Sequence, residues 1–387
     1  MAICPTDEPL KASRADSSFF LFCMFSFAPL FRSWQLAALA VLFCSTLTAC
    51  GQRTKSPSTP PMPTPAAPAT DLFPLAAAPC TADGYFVTIH AGEFVRPDGR
   101  TFLVPTGHLL EGSWGASGTL WAVGDENQPA PTHLRMLWFS YAEDKFYEGD
   151  FALPQAKIHE LLQQGYWDIE KQRPATYNTL IVCTIPKGGV VLWLGGTNQT
   201  LIGRFQGHPA NVEFKQFYGP ANRAKLLQEV RAQMPPGAQQ QMTAGTDAGI
   251  WDQYLRRYPW KIEFSQPFTL YKYSANYLNA ERTRDPLSRD LGPYQQQLLA
   301  ASSKPVPRKL YLYGQAEHGA RYQVRLNPVD ETETMAAFEQ LSHASPKRPI
   351  TLFIDVSKDF KKGTLTLRNE RQQIPLLKTQ VQLFDEN

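Results

Sequence analysis

From Gly84 onward, apolar and polar residues alternate in short runs, and turn-forming residues cut those runs. That is the pattern of half-buried strands. GYFVTIHAGEF and TFLVPTGHLL read as strands on either side of the turn RPDGR. His133 to Phe151, HLRMLWFSYAEDKFYEGDF, reads as a hairpin with Glu143-Asp144 at its bend. A helix should follow, because Pro154 suits a first turn, Ile158, Leu161 and Leu162 share one face, and Gly165 is placed to end it. TLIVCTIPKGGVVLWLGG is a second hairpin, with Lys187-Gly188-Gly189 able to take the positive φ of a tight turn. Strand pattern continues from Leu201 to Phe205 and from Val212 to Phe217. Pro220 then opens a helix with Leu226, Leu227 and Val230 on one face, stopped by Pro235-Pro236, and a surface loop runs to Gly245. Ile250, Trp251, Tyr254, Leu255 and Tyr258 predict one more short helix that ends before Pro259, and strands resume at Trp260.

The order then recurs. KLYLYGQAEHGARYQVRLNP (Lys309 to Pro328) follows the plan of LWFSYAEDKFYEGDFALP (Leu137 to Pro154), and the helix after it carries Met335, Phe338 and Leu341. ITLFIDVSKDFKKGTLTL matches the plan of TLIVCTIPKGGVVLWL, with Lys361-Lys362-Gly363 where Lys187-Gly188-Gly189 stood. The expected fold is therefore α+β and strand-rich: antiparallel sheets with a few short helices, in two repeated strand-strand-helix-strand-strand modules. Module boundaries fall at residues 80–258 and 259–387.

The first 79 residues differ in texture. An apolar run from Leu36 to Phe43 follows Arg32 and leads to Leu47-Thr48-Ala49-Cys50, the layout of a secretory signal. Leu36 to Leu47 is about half of the roughly 20 residues that a membrane span needs. Small residues before a cysteine resemble the lipobox of bacterial lipoproteins, which implies cleavage before Cys50 and a diacylglycerol on its thiol. Residues 1–49 are then precursor, and Met24 is the better-placed start, because Asp7, Glu8 and Asp16 sit where a signal wants positive charge only. Residues 50–79 are the lipidated cysteine and a tether, whose prolines between Gly51 and Thr70 favour an extended, semi-rigid spacer. Gly51 is not the aspartate that retains such lipoproteins in the inner membrane, so the expected location is the outer membrane, facing the periplasm.

Cleavage and lipidation leave two thiols, Cys80 and Cys183, and export to an oxidising compartment makes them candidates for a disulfide. The alternative is two separate buried thiols, since Cys183 shares a strand face with Ile181 and Ile185. Lys and Arg number 38 against 35 Asp and Glu, and no basic run appears, so nucleic acid is not an expected partner.

Candidate chemistry is sparse. Ser113 and Ser117 in EGSWGASGT lack the flanking glycines of a nucleophile elbow. The seven histidines are scattered, with no pair at the spacing that binds zinc from one helix face. Glu143-Asp144 reads as a solvated turn, and no phosphate or dinucleotide glycine motif occurs. No catalytic residue, metal ligand or cofactor is expected. Aromatic residues make up 12% of the chain, with Trp138, Phe139 and Tyr141 clustered and Tyr271, Tyr273 and Tyr277 close together. Most must be core, and an exposed minority would suit a protein interface.

Trp138-Phe139-Ser140, Glu143, Lys145-Phe146-Tyr147, Leu153-Pro154, Ile158 and Gly165 resemble the proteobacterial lipoproteins grouped as domain of unknown function 2931, over about Gly84 to Arg284. The resemblance carries no catalytic residue across. It implies an envelope lipoprotein, and the toxin-linked gene neighbourhoods of some members imply a role in immunity. The leading expectation is a non-enzymatic, lipid-anchored binding protein with an unidentified protein partner, such as a secreted antibacterial toxin. A hydrolase or carbohydrate-active enzyme with a dispersed site is the alternative, and an envelope scaffold is a third reading.

Overall fold

The structure, a computed structural model, describes residues 72–121, 125–286, 300–346 and 348–386. The signal segment, Cys50 and the proline-rich stretch to Thr70 lie outside the described residues.

The first half contains β1 (Ala76–Thr81), β2 (Val87–Val95), β3 (Thr101–Leu103), β4 (Leu109–Leu110), β5 (His133–Ser140) and β6 (Lys145–Ala152). Helix α1 (Gln155–Gln164) is followed by β7 (Tyr166–Asp168), β8 (Arg173–Ala175), β9 (Thr179–Ile185), β10 (Gly189–Gly195), β11 (Gln199–Gln206) and β12 (His208–Pro209). Four helices come next: α2 (Phe214–Tyr218), α3 (Arg223–Gln233), α4 (Pro236–Ala244) and α5 (Gly249–Tyr254). The second half contains β13 (Arg257–Phe264), β14 (Phe268–Tyr277), β15 (Arg282–Pro286), β16 (Ser302–Pro305), β17 (Pro307–Ala316) and β18 (Arg321–Leu326). It ends with α6 (Glu331–Ala344), β19 (Ile350–Val356), β20 (Gly363–Arg368), β21 (Gln373–Pro375) and β22 (Val381–Asp385).

A nine-stranded sheet, β1-β9-β10-β11-β15-β14-β17-β18-β22, runs through both halves. Its first part packs against a six-stranded sheet, β12-β6-β5-β2-β3 with β4 on β2, around a core that includes Ile89, Leu134, Trp138, Val182 and Leu192. Its second part packs against a five-stranded sheet, β16-β13-β19-β20-β21, around Trp260, Tyr273, Leu312, Phe338 and Ile354. Helices α2 to α5 supply residues such as Phe214, Leu227, Val230 and Trp251 to a third cluster, with Ile181, Cys183, Val191 and Trp193. Strands β9 and β10 are consequently buried on both faces, which is why TLIVCTI and GVVLWLG are almost continuously apolar.

The strand-rich α+β class and both first-half hairpins agree with the sequence reading. At the β9–β10 turn Lys187 and Gly188 have φ of 61° and 75°, and a Cβ on Gly188 would lie 2.6 Å from the Tyr147 ring. Five details differ. The sheets are not wholly antiparallel, because β1 runs parallel to β9 and β13 parallel to β19. Strand β1 begins at Ala76, inside the stretch read as tether. Phe214 and Tyr218, four apart, stack within α2 rather than alternating in a strand. Residues 236–244, read as a loop, form α4: Pro236 starts its first turn and its Ala, Gln and Met residues are good helix formers. Tyr258 belongs to β13, not to the preceding helix.

The two parts of the nine-stranded sheet meet at a single register pair, Gln199 with Arg282. Side chains reinforce it. Leu201 N–H donates to Glu281 Oε1 at 3.0 Å, Arg284 N–H to Asn198 Oδ1 at 2.8 Å, and Arg282 to Gln199 Oε1 at 2.9 Å. Beside them the Trp193 and Trp114 indoles, edge to face at 4.9 Å, donate to the carbonyls of Asn279 and Leu278. Trp193→Phe strips one buried carbonyl of its donor and leaves a void, so it should lower the unfolding free energy by about 2–4 kcal/mol. Urea denaturation measures this, and a loss well under 1 kcal/mol would show that the joint does not depend on the indole.

Candidate functional site

The outward face of the six-stranded sheet carries a groove of about 560 Å3, bordered by residues including Leu103, Val104, Met136 and Leu137, with His90, Glu148 and His208 on its wall. Strand geometry builds it. A bulge in β2 between Ile89 and Ala91 breaks the alternation at His90, and a bulge of this kind re-aims a side chain. The His90 ring stacks on Phe217 at 4.2 Å and meets Tyr218 edge-on at 5.3 Å. His90 Nε2 and Tyr218 hydroxyl are 3.2 Å apart, and hydroxyl contacts continue to Tyr141 at 3.0 Å and Thr88 at 3.1 Å. Burial lowers the His90 pKa to about 4, so its ring is neutral at physiological pH. Burial, followed by the Tyr141 hydroxyl, pushes the Tyr218 phenol well above its usual range. Neither group is tuned to move a proton near neutrality.

One row across three strands closes the other end. Glu93, Arg135 and Asp150 are register partners, and Arg135 reaches Asp150 at 3.1 Å and Glu93 at 3.5 Å. With Glu148, which lies 3.5 Å from His208, the rim has three carboxylates and one guanidinium. It presents an apolar floor with a net negative rim.

Glu143 is not a plain solvated turn residue. Its carboxylate accepts hydrogen bonds from Ser140 hydroxyl, Tyr147 hydroxyl and Lys187 N–H, tying the β5–β6 bend to the β9–β10 turn. Asp144 does sit at the bend, with φ of 53°, and pairs with Arg223 at 2.8 Å. The Ser113 and Trp114 N–H groups both donate to Asp83 Oδ1, so that loop serves to place Trp114 at the sheet joint. Ser117 lines a separate polar pocket with Asp168, Arg282 and Arg284. No group of three or more His, Cys, Asp or Glu side chains converges as a metal site among the described residues. Cys80 and Cys183 are register partners in the parallel β1–β9 pair, both buried and both free thiols. Burial, then the neighbouring Cys80 thiol, raises the Cys183 pKa.

Residues 71–244 match the family model described as protein of unknown function (DUF2931). That segment is similar to the DUF2931 family. It starts before Gly84 and ends before Arg284, so it holds the whole groove and the helices through α4, while β13 to β22 lie beyond it. No curated protein and no solved structure matches the chain. Within the DUF2931 segment, Trp138 and Ile158 are core residues and Glu143 is a cross-link, so the motif that carries the resemblance is structural.

His90 gives the groove a pH signature. Its pKa falls from 6.5 in the unfolded chain to about 4 on folding, so the unfolded state binds more protons between those values. Its contribution to stability should be complete above about pH 6.5, decline as pH falls toward 4, and level off below. His90→Gln retains a partner for Tyr218 and should remove that slope, so urea midpoints of the two proteins should converge toward acid. A constant difference from pH 7 to 4 would show that the ring is solvated.

Proposed function

We propose that this chain is a lipid-anchored lipoprotein of the outer membrane, facing the periplasm, whose DUF2931 domain binds a protein partner without catalysis and acts as an immunity protein against a secreted toxin. The carrying observation is the groove: Leu103, half exposed, and Leu137 lie beside the Glu93, Arg135 and Asp150 row, while the nearby His90 is neutral and stacked on Phe217. Such a surface suits an apolar segment bearing a lysine or arginine that meets the acidic rim. The lipobox Leu47-Thr48-Ala49-Cys50 supports the anchor, and Gly51 supports outer-membrane sorting. The chain also reads as two copies of one module. β2 pairs β5 as β14 pairs β17, and β5, β6, α1, β9 and β10 follow in the order of β17, β18, α6, β19 and β20. Each copy has one parallel pair, β1 with β9 and β13 with β19.

In a deletion strain challenged with a toxin-delivering competitor, the wild-type gene should restore survival and Leu103→Glu should not. With purified toxin the same substitution should weaken binding by about thirtyfold, the 2 kcal/mol of a hot spot. Cys50→Ser should move the protein out of the outer-membrane fraction. Full protection by Leu103→Glu would remove the groove from the reading, and outer-membrane retention of Cys50→Ser would remove the anchor.

Export also implies a disulfide between Cys80 and Cys183. Both thiols occupy one register position on adjacent strands, within the Cα spacing a disulfide requires. Each thiol would give up a proton and an electron to a disulfide oxidant of the exporting compartment. Closing a loop of about 100 residues is worth up to about 4.7 kcal/mol. Thiol titration of periplasmic protein should find neither group free, and reductant should lower the melting temperature. Two reactive thiols after denaturation would overturn the pairing.

A further inference from the structure

Outside the DUF2931 segment, the second part of the nine-stranded sheet turns one face to the core and the other outward. The outward face is basic and aromatic. Across it, Arg284, Ser274, Tyr311, Arg325 and Gln382 form one register row, and Lys272, Tyr313, Gln323 and Phe384 form the next. Arg282, Asn276 and Lys309 make a third row at the sheet joint. Lys272 Nζ lies 4.2 Å over the Tyr313 ring, and the Arg325 guanidinium lies 4.2 Å over Phe384 and 5.8 Å from the Tyr311 centroid. Among the described residues, Arg284 pairs with Glu170 and the Glu386 carboxylate accepts from Tyr271 hydroxyl near Tyr313, whereas Lys272, Lys309 and Arg325 have no carboxylate within ion-pair distance.

We propose that this face docks on the surface of an anionic lipid bilayer, with its cations set against lipid phosphates. Two observations favour a planar array of phosphates over a polymer. A single-stranded nucleic acid stacks its rings on open aromatic faces, but here faces of Tyr311, Tyr313 and Phe384 lie against cations. The cations are also spread over β14, β15, β17 and β18 rather than strung along one line, with neighbouring strands about 4.8 Å apart. Charge density of that form meets the negative potential of a membrane surface. The docking needs no lipid anchor, but it deepens the envelope reading above and rests on that reading for the membrane that the face would meet.

The test uses the full chain carrying Cys50→Ser, so that no acyl chain contributes, in sedimentation with vesicles of phosphatidylcholine alone or containing phosphatidylglycerol. Pure phosphatidylcholine reports apolar adsorption, and the excess on anionic vesicles reports the face. That excess should shrink as salt rises and fall about thirtyfold in Lys272→Gln with Arg325→Gln, about fivefold for each cation removed. Lys309→Glu, whose side chain makes none of these ring contacts, should also reduce it, which keeps the test decisive if the double variant fails to fold. Equal sedimentation with both vesicles, an excess unchanged in the variants, or binding to heparin or single-stranded DNA with no vesicle preference would overturn the proposal. Fractionation of Cys50→Ser in cells reads the anchor separately.

Discussion

Burial of β9 and β10 on both faces is the constraint on which the architecture depends. A hairpin with no wet side must satisfy its backbone along both edges, and β1 and β11 supply those partners. It must also have a layer on each face: the six-stranded sheet on one, and helices α2 to α5 with the Trp114 loop on the other. Those layers place the candidate site. Glu143 locks the hairpin turn to the β5–β6 bend, and α2 brings Phe217 and Tyr218 against His90. The groove is thus a surface consequence of how the central hairpin is covered.

The same packing sets the titration of the side chains on its wall. His90 loses solvent to Phe217 and Tyr218 and gains no carboxylate to hold a proton, so desolvation alone decides its pKa. Tyr218 is driven the opposite way by the same burial. A general acid or base needs a pKa near the working pH, and these two groups are moved away from it from either side. What the groove presents is an apolar floor with an excess of carboxylates on its rim.

Most of the fold was legible because alternation and turn chemistry act over a few residues. The run Leu180 to Ile185, the Lys187-Gly188 turn and the stripe of Ile158, Leu161 and Leu162 each needed no distant partner to be read. Errors arose where two periods fit the same residues. FKQFY suits either a strand or a helical turn, and only packing on Phe139 decides for the helix. PGAQQQMTA has few apolar residues, yet its propensity and a buried Ala238 were sufficient. The site was much less legible. Glu93, Arg135 and Asp150 are brought together by register, and His90 is turned by a bulge that no local pattern announces. The basic face was hidden similarly, since its cations come from four strands and nowhere form a run.

The six-stranded sheet and the second part of the nine-stranded sheet each turn one face to a core and the other outward. Those outward faces differ in the sign of their charge. One carries Glu93, Glu148 and Asp150 around an apolar floor, and the other carries Lys272, Lys309 and Arg325 among tyrosines. Surfaces of opposite charge select different partners, because a ligand that neutralises one is repelled by the other. The acidic, grooved face suits a compact protein segment, and the open basic face suits an extended anionic surface.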